Sequence, residues 1–267
     1  MGVLLGEDIR SGLRTTLIGR RIIALREVGS TNDLANEMAE KGVLEGTVVV
    51  AEAQTKGKGR LGRSWSSPPG LGLYTSIILH PPISPEQAPL FPLMAGIAVA
   101  EAVLDTTGLP TLLKWPNDVL LWKRKVAGIL TELNADAGLV RHLVVGVGIN
   151  VNQRLEDFPA ELRDKATSLK IELGRDVSII PLAQALYEKL EAWYLRFLKE
   201  SSPPVLRRFE ELCMNLGCRV GISSRRGLLE GIAVGVDSDG SLLLKLSTGS
   251  TVRVMAGEVT LRGETEI

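Results

Sequence analysis

Eight residues concentrate three glycines and three cations in one short stretch: Gly57-Lys58-Gly59-Arg60-Leu61-Gly62-Arg63-Ser64. Glycines let a backbone fold close to a ligand, and Lys58, Arg60 and Arg63 can neutralise phosphate oxygens. The spacing fits Gly-x-Gly-x-x-Gly, a dinucleotide fingerprint. It also nearly fits a Walker A loop, although Arg63 stands where that motif needs lysine. Both motifs need a strand running in and a helix running out, because the helix N-terminus holds the phosphates. A strand does run in, since Thr47–Ala53 is β-branched and apolar. No helix can run out through Trp65-Ser66-Ser67-Pro68-Pro69-Gly70. If this loop binds an anion, it does so with backbone amides and its own cations. A solvated basic loop is the competing reading, and Gln54 at the strand end and Trp65 beside the loop weigh against it.

Three further segments carry residues suited to the same chemistry. In Lys114-Trp115-Pro116-Asn117-Asp118, the turn aims amide and carboxylate at one end of a sheet. Asp118 beside Asn117, with Lys114 nearby, suits a magnesium nucleotide; a plain Pro-Asn-Asp turn is the alternative. In Lys125-Val126-Ala127-Gly128-Ile129-Leu130, a lysine enters an apolar strand that contains a glycine. That implies close approach of a ligand to the backbone, or simply a hairpin ending in water. In Gly146-Val147-Gly148-Ile149-Asn150, strand glycines again make room, and Asn150 has the donor and acceptor to read an adenine edge or to end a strand in a turn. The two histidines, His80 and His142, sit near no plausible nucleophile, so positioning and charge stabilisation are favoured over covalent catalysis.

The elements that must position these residues follow from periodicity and turn chemistry. A short helix and lead-in are expected over 5–20, then a strand at 21–26. Ser30-Thr31-Asn32-Asp33 is an N-cap cluster for a helix whose apolar face is Leu34, Met38 and Val43, closed by Gly42. Strands are expected at 47–53 and 72–79, a long helix at 87–106, and a meander at 111–115, 118–122, 126–133 and 142–149. Helices resume at 159–165, 180–199 and 203–215. After Cys218 the chain turns to short alternating strands at 218–223, 228–236, 241–246, 251–255 and 258–262, punctuated by Gly227, Asp237–Gly240 and Thr248-Gly249. This texture predicts a small SH3-like barrel over 217–267, following a larger domain over 1–216 whose first 20 residues are a lead-in.

Composition bounds the rest. Lys plus Arg total 31 and Asp plus Glu total 31, so any basic site must be local and the overall charge gives no case for nucleic acid. No apolar run of about 18 residues is evident for a membrane span, and the N-terminus lacks the layout of a signal peptide or a myristoylation site. Cys213 and Cys218 are too few for a disulfide framework or a structural zinc site. They are expected to pack as small apolar residues, and a cytoplasmic address is the default.

Taken in order, Ser30-Thr31-Asn32, Gln54 with Gly57–Trp65, Lys114–Asp118, Lys125–Leu130 and Gly146–Asn150 resemble biotin protein ligase, over about residues 22–262. The resemblance implies an α+β fold: a mixed, largely antiparallel sheet with packed helices, class II synthetase-like, plus the C-terminal SH3-like unit. It implies that biotin and Mg-ATP form biotinyl-5′-adenylate, and that the biotinyl group then passes to a lysine of a biotin carboxyl carrier protein domain. Carried over by position, Ser30, Thr31, Asn32 and Gln54 would bracket the ureido group, and Lys58, Gly59 and Arg60 would close over the carboxylate and phosphates. Lys125 would hold the reacting carboxylate, with Arg60 beside it as the second catalytic cation. Gly128, Leu130, Gly146 and Gly148 would wall the bicyclic ring. Arg60, Arg63, Trp65, Lys114, Asn117 and Asn150 would serve the nucleotide, and Asp118 the Mg2+.

Lys58 departs from an arginine frequent in relatives, which exchanges a planar fork for a point charge. Some relatives carry an N-terminal winged helix and repress transcription. Here about 20 residues precede the first strand, so operator binding is not expected, whereas a homodimer is. Lipoate or octanoate ligases and transferases share the fold, and a non-catalytic biotinyl-adenylate sensor is a further alternative.

Overall fold

The computed structural model describes residues 6–224 and 227–261. Its centre is a seven-stranded mixed sheet in the order β1-β2-β3-β7-β6-β5-β4. β1 (Ile22–Val28) and β2 (Val48–Gln54) are parallel, because α2 (Thr31–Glu40) crosses between them. β3 (Gly72–Leu79) is antiparallel to β2 and to β7 (Leu139–Asn150). β4 (Leu112–Lys114), β5 (Asp118–Leu121), β6 (Arg124–Asp136) and β7 form the expected meander.

Side-chain alternation divides the sheet between two cores. Val48, Val50, Ile77, Leu79, Val145 and Val147 face the main core under α3 (Leu90–Thr107) and α5 (Ile179–Glu200). The intervening Val49, Ile78 and Val144 face Ala35 and Ala39 of α2. α3 is buried nearly all round, packed on α5, α6 (Pro203–Leu212) and the strands. The segment Pro85–Thr107 is apolar and long enough to span a membrane, contrary to the sequence expectation of no such run, but 72% of its apolar window is buried inside the protein. Burial against α5 and the sheet explains the apolar run without a bilayer.

The C-terminal sheet is wholly antiparallel, in the order β11-β10-β9-β8-β12, from β8 (Arg219–Ser224), β9 (Gly227–Val236), β10 (Leu242–Lys245), β11 (Thr251–Val254) and β12 (Glu258–Leu261). The expected strand end at 262 and the chain termini at 1–5 and 263–267 lie outside the described residues.

Several boundaries differ from expectation. α1 covers only Gly6–Ser11, and residues 12–20 run on without helix. α2 ends at Glu40, so Val43 packs from the following turn. The helix expected at 159–165 is a single 3-10 turn, Ala160–Leu162. The chain forms α4 at Leu169–Leu173 instead, where Ser168 accepts a hydrogen bond from the Ile171 amide and Gly174 ends the helix at φ 70°. α6 stops at Leu212, and Cys213 is extended.

Candidate active site

The N-terminus of α2, the end of β2 and the glycine-bearing middles of β6 and β7 meet at one end of the sheet. Ser30 caps α2 by accepting a hydrogen bond from Asp33 N at 3.4 Å. This turn buries Ser30, Thr31 and Asn32 to 3–4% exposure. Gln54 crosses to them, its Oε1 accepting from Thr31 N (2.8 Å) and from the Thr31 hydroxyl (3.1 Å). Its Nε2 donates to Ser67 Oγ at 2.9 Å. Asn32 donates through Nδ2 to the Leu130 carbonyl (3.2 Å) and to Glu132 (2.8 Å), and Ser76 Oγ lies 2.6 Å from its Oδ1. Three buried polar side chains and the half-buried Gln54 are thus held and oriented around one cleft that Gly128, Leu130, Gly146 and Gly148 also line.

The strand glycines make room for particular side chains. A Cβ on Gly146 would strike the Asn32 amide. A Cβ on Gly148 would come within 2.6 Å of the Trp65 indole, and one on Gly128 within 3.0 Å of the same ring. Trp65 therefore lies flat across both strands, and its buried Nε1 has no hydrogen-bond partner. Lys125 Nζ sits 5.3 Å from the Trp65 ring centroid and 2.5 Å from Asp118 Oδ1. Lys125 does not end its hairpin in open water; it occupies the junction of the polar cleft with a second one of about 510 Å³.

That second cleft is lined by Arg63, Trp65, Lys114, Asp118 and Asn150 and closed by Phe158 and Glu258. Arg60 lines the polar cleft, where Nη1 donates to Asn117 Oδ1 at 3.0 Å while Asn117 Nδ2 holds the Ile129 carbonyl at 2.9 Å. Burial lowers the Arg60 pKa, an effect that nearby Asp118 opposes, so an arriving anion would find a partly desolvated cation. Lys58 pairs with Asp33 and Arg63 with Glu258. The hydrogen bond to Asp33 raises the Lys58 pKa; the bond between Arg63 and Glu258 raises the arginine and lowers the carboxylate. The loop is thereby tied to α2 on one side and to β12 on the other. Within it, Gly59 N donates to Arg63 O at 2.7 Å, and the turn passes through Leu61 (φ 56°) and Gly62 (φ 76°). No α-helix follows it, as its sequence requires.

Asn150 has a different part from the one its type suggests. Its Nδ2 donates to the Thr167 carbonyl at 3.0 Å and its Oδ1 accepts from Gln153 at 3.3 Å, so its paired hydrogen bonds serve the protein rather than a base edge. It fixes the segment that walls the second cleft. Among the described residues no three His, Cys, Asp or Glu side chains cluster as a metal cage. The single carboxylate of Asp118 fits only a cation held mostly by phosphates and water, which is the usual state of Mg2+ on a nucleotide. Sequence reasoning missed Ser67, Ser76, Glu132 and Glu258, and it read Asp33 as part of an N-cap cluster rather than as the partner of Lys58. Ser76 alone left a trace, as a polar residue in the otherwise apolar second half of β3.

Residues 25–150 match the biotin/lipoate A/B protein ligase family and residues 216–262 the biotin protein ligase C-terminal domain. The chain is 37% identical over 248 residues to the bifunctional ligase/repressor BirA of Bacillus subtilis, covering 93% of this chain and 76% of that protein. The chain belongs to the biotin protein ligase family. It is also 35% identical to a biotin--[acetyl-CoA-carboxylase] ligase of Mycobacterium tuberculosis, covering 94% of each. Among solved structures, the biotin protein ligase of Aquifex aeolicus in complex with biotin and ATP superposes with a TM-score of 0.78 at 36% identity, over 91% of this chain and 99% of that one.

Proposed function

We propose that this chain is an ATP-dependent biotin protein ligase, and the observation that carries the proposal is the position of Lys125. It stands where a cleft of buried, oriented amides and hydroxyls opens into a cation-lined cleft. A cyclic urea offers the donors and acceptors that Ser30, Asn32 and Gln54 require. An aliphatic head would leave them unmatched, at about 1–3 kcal/mol each, which favours biotin over lipoate or octanoate. The ligand's carboxylate then extends to Lys125 and Arg60.

In the first step a carboxylate oxygen attacks the α-phosphorus of ATP and pyrophosphate leaves with the electron pair of the broken P–O bond, giving biotinyl-5′-AMP. Lys125 and Arg60 align the two anions and neutralise the charge that builds on the α-phosphate. Arg63 and Lys114 serve the polyphosphate, and Trp65 the nucleoside. Asp118 would hold the Mg2+ that arrives with the nucleotide and screens its phosphates. In the second step the amine of a carrier-domain lysine attacks the acyl carbon and AMP leaves. The glycine-basic loop covers the mixed anhydride between the steps.

The ligase is a cytoplasmic enzyme in this reading, with a catalytic unit over 1–216 and an SH3-like unit over 217–267. Its acceptor is a biotin carboxyl carrier protein domain. A homodimer is supported by the long β6, which pairs with β5 only through Arg124–Gly128 and leaves an outer half for association. Biotin-dependent exchange of pyrophosphate into ATP, followed by labelling of a carrier domain, tests the proposal. Exchange stimulated by lipoate or octanoate and not by biotin would refute it, and adenylate binding without carrier labelling would point to a sensor.

A further inference from the structure

Asn32 is held so that only part of its amide remains for a ligand. Its Nδ2 has two hydrogens, and both are committed, one to the Leu130 carbonyl at 3.2 Å and one to Glu132 Oε2 at 2.8 Å. A carbonyl and a carboxylate only accept, so the amide cannot be turned over without breaking both bonds. On the other side Ser76 Oγ lies 2.6 Å from Oδ1, which has no hydrogen; Ser76 must therefore donate. The Thr31 hydroxyl, 2.8 Å from Ser76 and 3.1 Å from Gln54 Oε1, then supplies its own proton to one of these two acceptors. Glu132 is itself steadied by Asn36 Nδ2 at 3.2 Å. What is left of Asn32 is one lone pair on Oδ1.

We infer that Glu132 and Ser76 are positioning residues that fix the polarity of Asn32, so that the pocket demands an N–H donor at that point of its substrate. The complementary groups are fixed in the same way. Gln54 Oε1 is committed to the Thr31 amide, which leaves an Nε2 hydrogen for the ligand, and Ser30 Oγ accepts from Asp33 N, which leaves its proton. One acceptor beside two donors matches the N–H and C=O edge of a cyclic urea. The inference rests on the biotin reading of the site and extends it to the two residues that set the selectivity.

The test compares biotin with its two carbamate isosteres, in which one or the other ureido N–H is replaced by a ring oxygen. Direct binding is measured by calorimetry on the full chain and on Glu132→Gln and Ser76→Ala. In the wild type, one isostere should bind at least about tenfold more weakly than biotin, because acceptor faces acceptor. In Glu132→Gln this ratio should fall by about fivefold or more, because the glutamine amide can donate as well as accept and no longer dictates which end of the Asn32 amide faces it; Ser76→Ala, which keeps both Nδ2 bonds, should lower the ratio by a smaller factor. Glu132 also lies near Lys58, so biotin affinity alone does not isolate its part; the ratio does. Equal weakening of biotin and isosteres, with the ratio unchanged in both variants, would overturn the inference and leave Glu132 and Ser76 as structural supports. If one variant does not fold, the other decides. A wild-type protein that binds none of the three compounds would overturn the biotin reading itself.

Discussion

Trp65 accounts for two of the strand glycines, and Asn32 for the third, so equal-sized changes at these positions should give different defects. Gly146→Ala drives a methyl into the Asn32 amide, and biotin affinity should fall about tenfold or more while the KM for ATP stays near its starting value. Gly148→Ala instead displaces the indole, and with it the ring face beneath Lys125, a contact worth about 0.5–2 kcal/mol. The adenylation rate should suffer there more than biotin affinity. Single-turnover adenylation with equilibrium binding separates the two; the same defect in both variants would show that the glycines merely wall the ligand. Lys125→Ala should abolish pyrophosphate exchange and shift the thermal midpoint only slightly, since the partly exposed pair with Asp118 contributes little to stability. Normal exchange in that variant would remove Lys125 from the chemistry.

At the scale of elements, the lead-in after α1 is fastened to α5 by one carboxylate. Burial pushes the Glu191 pKa up, but the amides of Thr16, Ile18 and Leu17 and the Thr16 hydroxyl all donate to it, and the balance lies below the ordinary glutamate range. A carboxylate lowered in the folded state contributes its full stabilisation above its unfolded pKa, and loses it as pH falls through the folded one. Protection of the 16–18 amides from hydrogen exchange should therefore hold at neutral pH and decline from about pH 4.5 downwards. Glu191→Gln, with one acceptor oxygen instead of two, should start about 1–3 kcal/mol less protected and lose the pH dependence. A wild-type profile flat over that range would show that other contacts hold the strap. None of this was legible in the sequence, where Glu191 is an ordinary charge on a helix. The main strands, α2, α3, α5 and the meander were legible because period-2 and helical patterns match one-sided burial. α4 was missed because its signal is one serine cap and one glycine stop, and 159–165 was overread because a proline and apolar residues there serve a 3-10 turn. The site residues named from sequence do converge, since glycines and cations leave a local mark. Their partners Ser67, Ser76 and Glu132 do not, because what selects them is contact across strands that are distant in the chain.

At the scale of the molecule, a neutral chain builds a cationic cleft by bringing Lys114, Lys125, Arg60 and Arg63 together and letting the C-terminal sheet supply one opposing charge. That sheet is joined to the turn after β4, to α6 and to the glycine-basic loop by directed contacts: Trp115 Nε1 donates to the Gly240 carbonyl at 2.9 Å, Val236 N donates to Glu210 at 3.1 Å, and Glu258 pairs with Arg63. The last of these links the Gly57–Ser64 loop to β12. Both partners are substantially exposed, so the pair is worth at most about 1 kcal/mol and weakens with salt. Glu258→Ala should therefore leave the fold intact and speed the escape of biotinyl-5′-adenylate by about two- to fivefold at low ionic strength. As salt rises, the wild-type rate should climb towards that of the variant, because screening removes the same contact that the mutation deletes. Adenylate release into a trap of excess carrier-free protein measures both rates. If release at low salt is the same in wild type and variant, β12 does not restrain the loop, and the connection between the two sheets is structural alone.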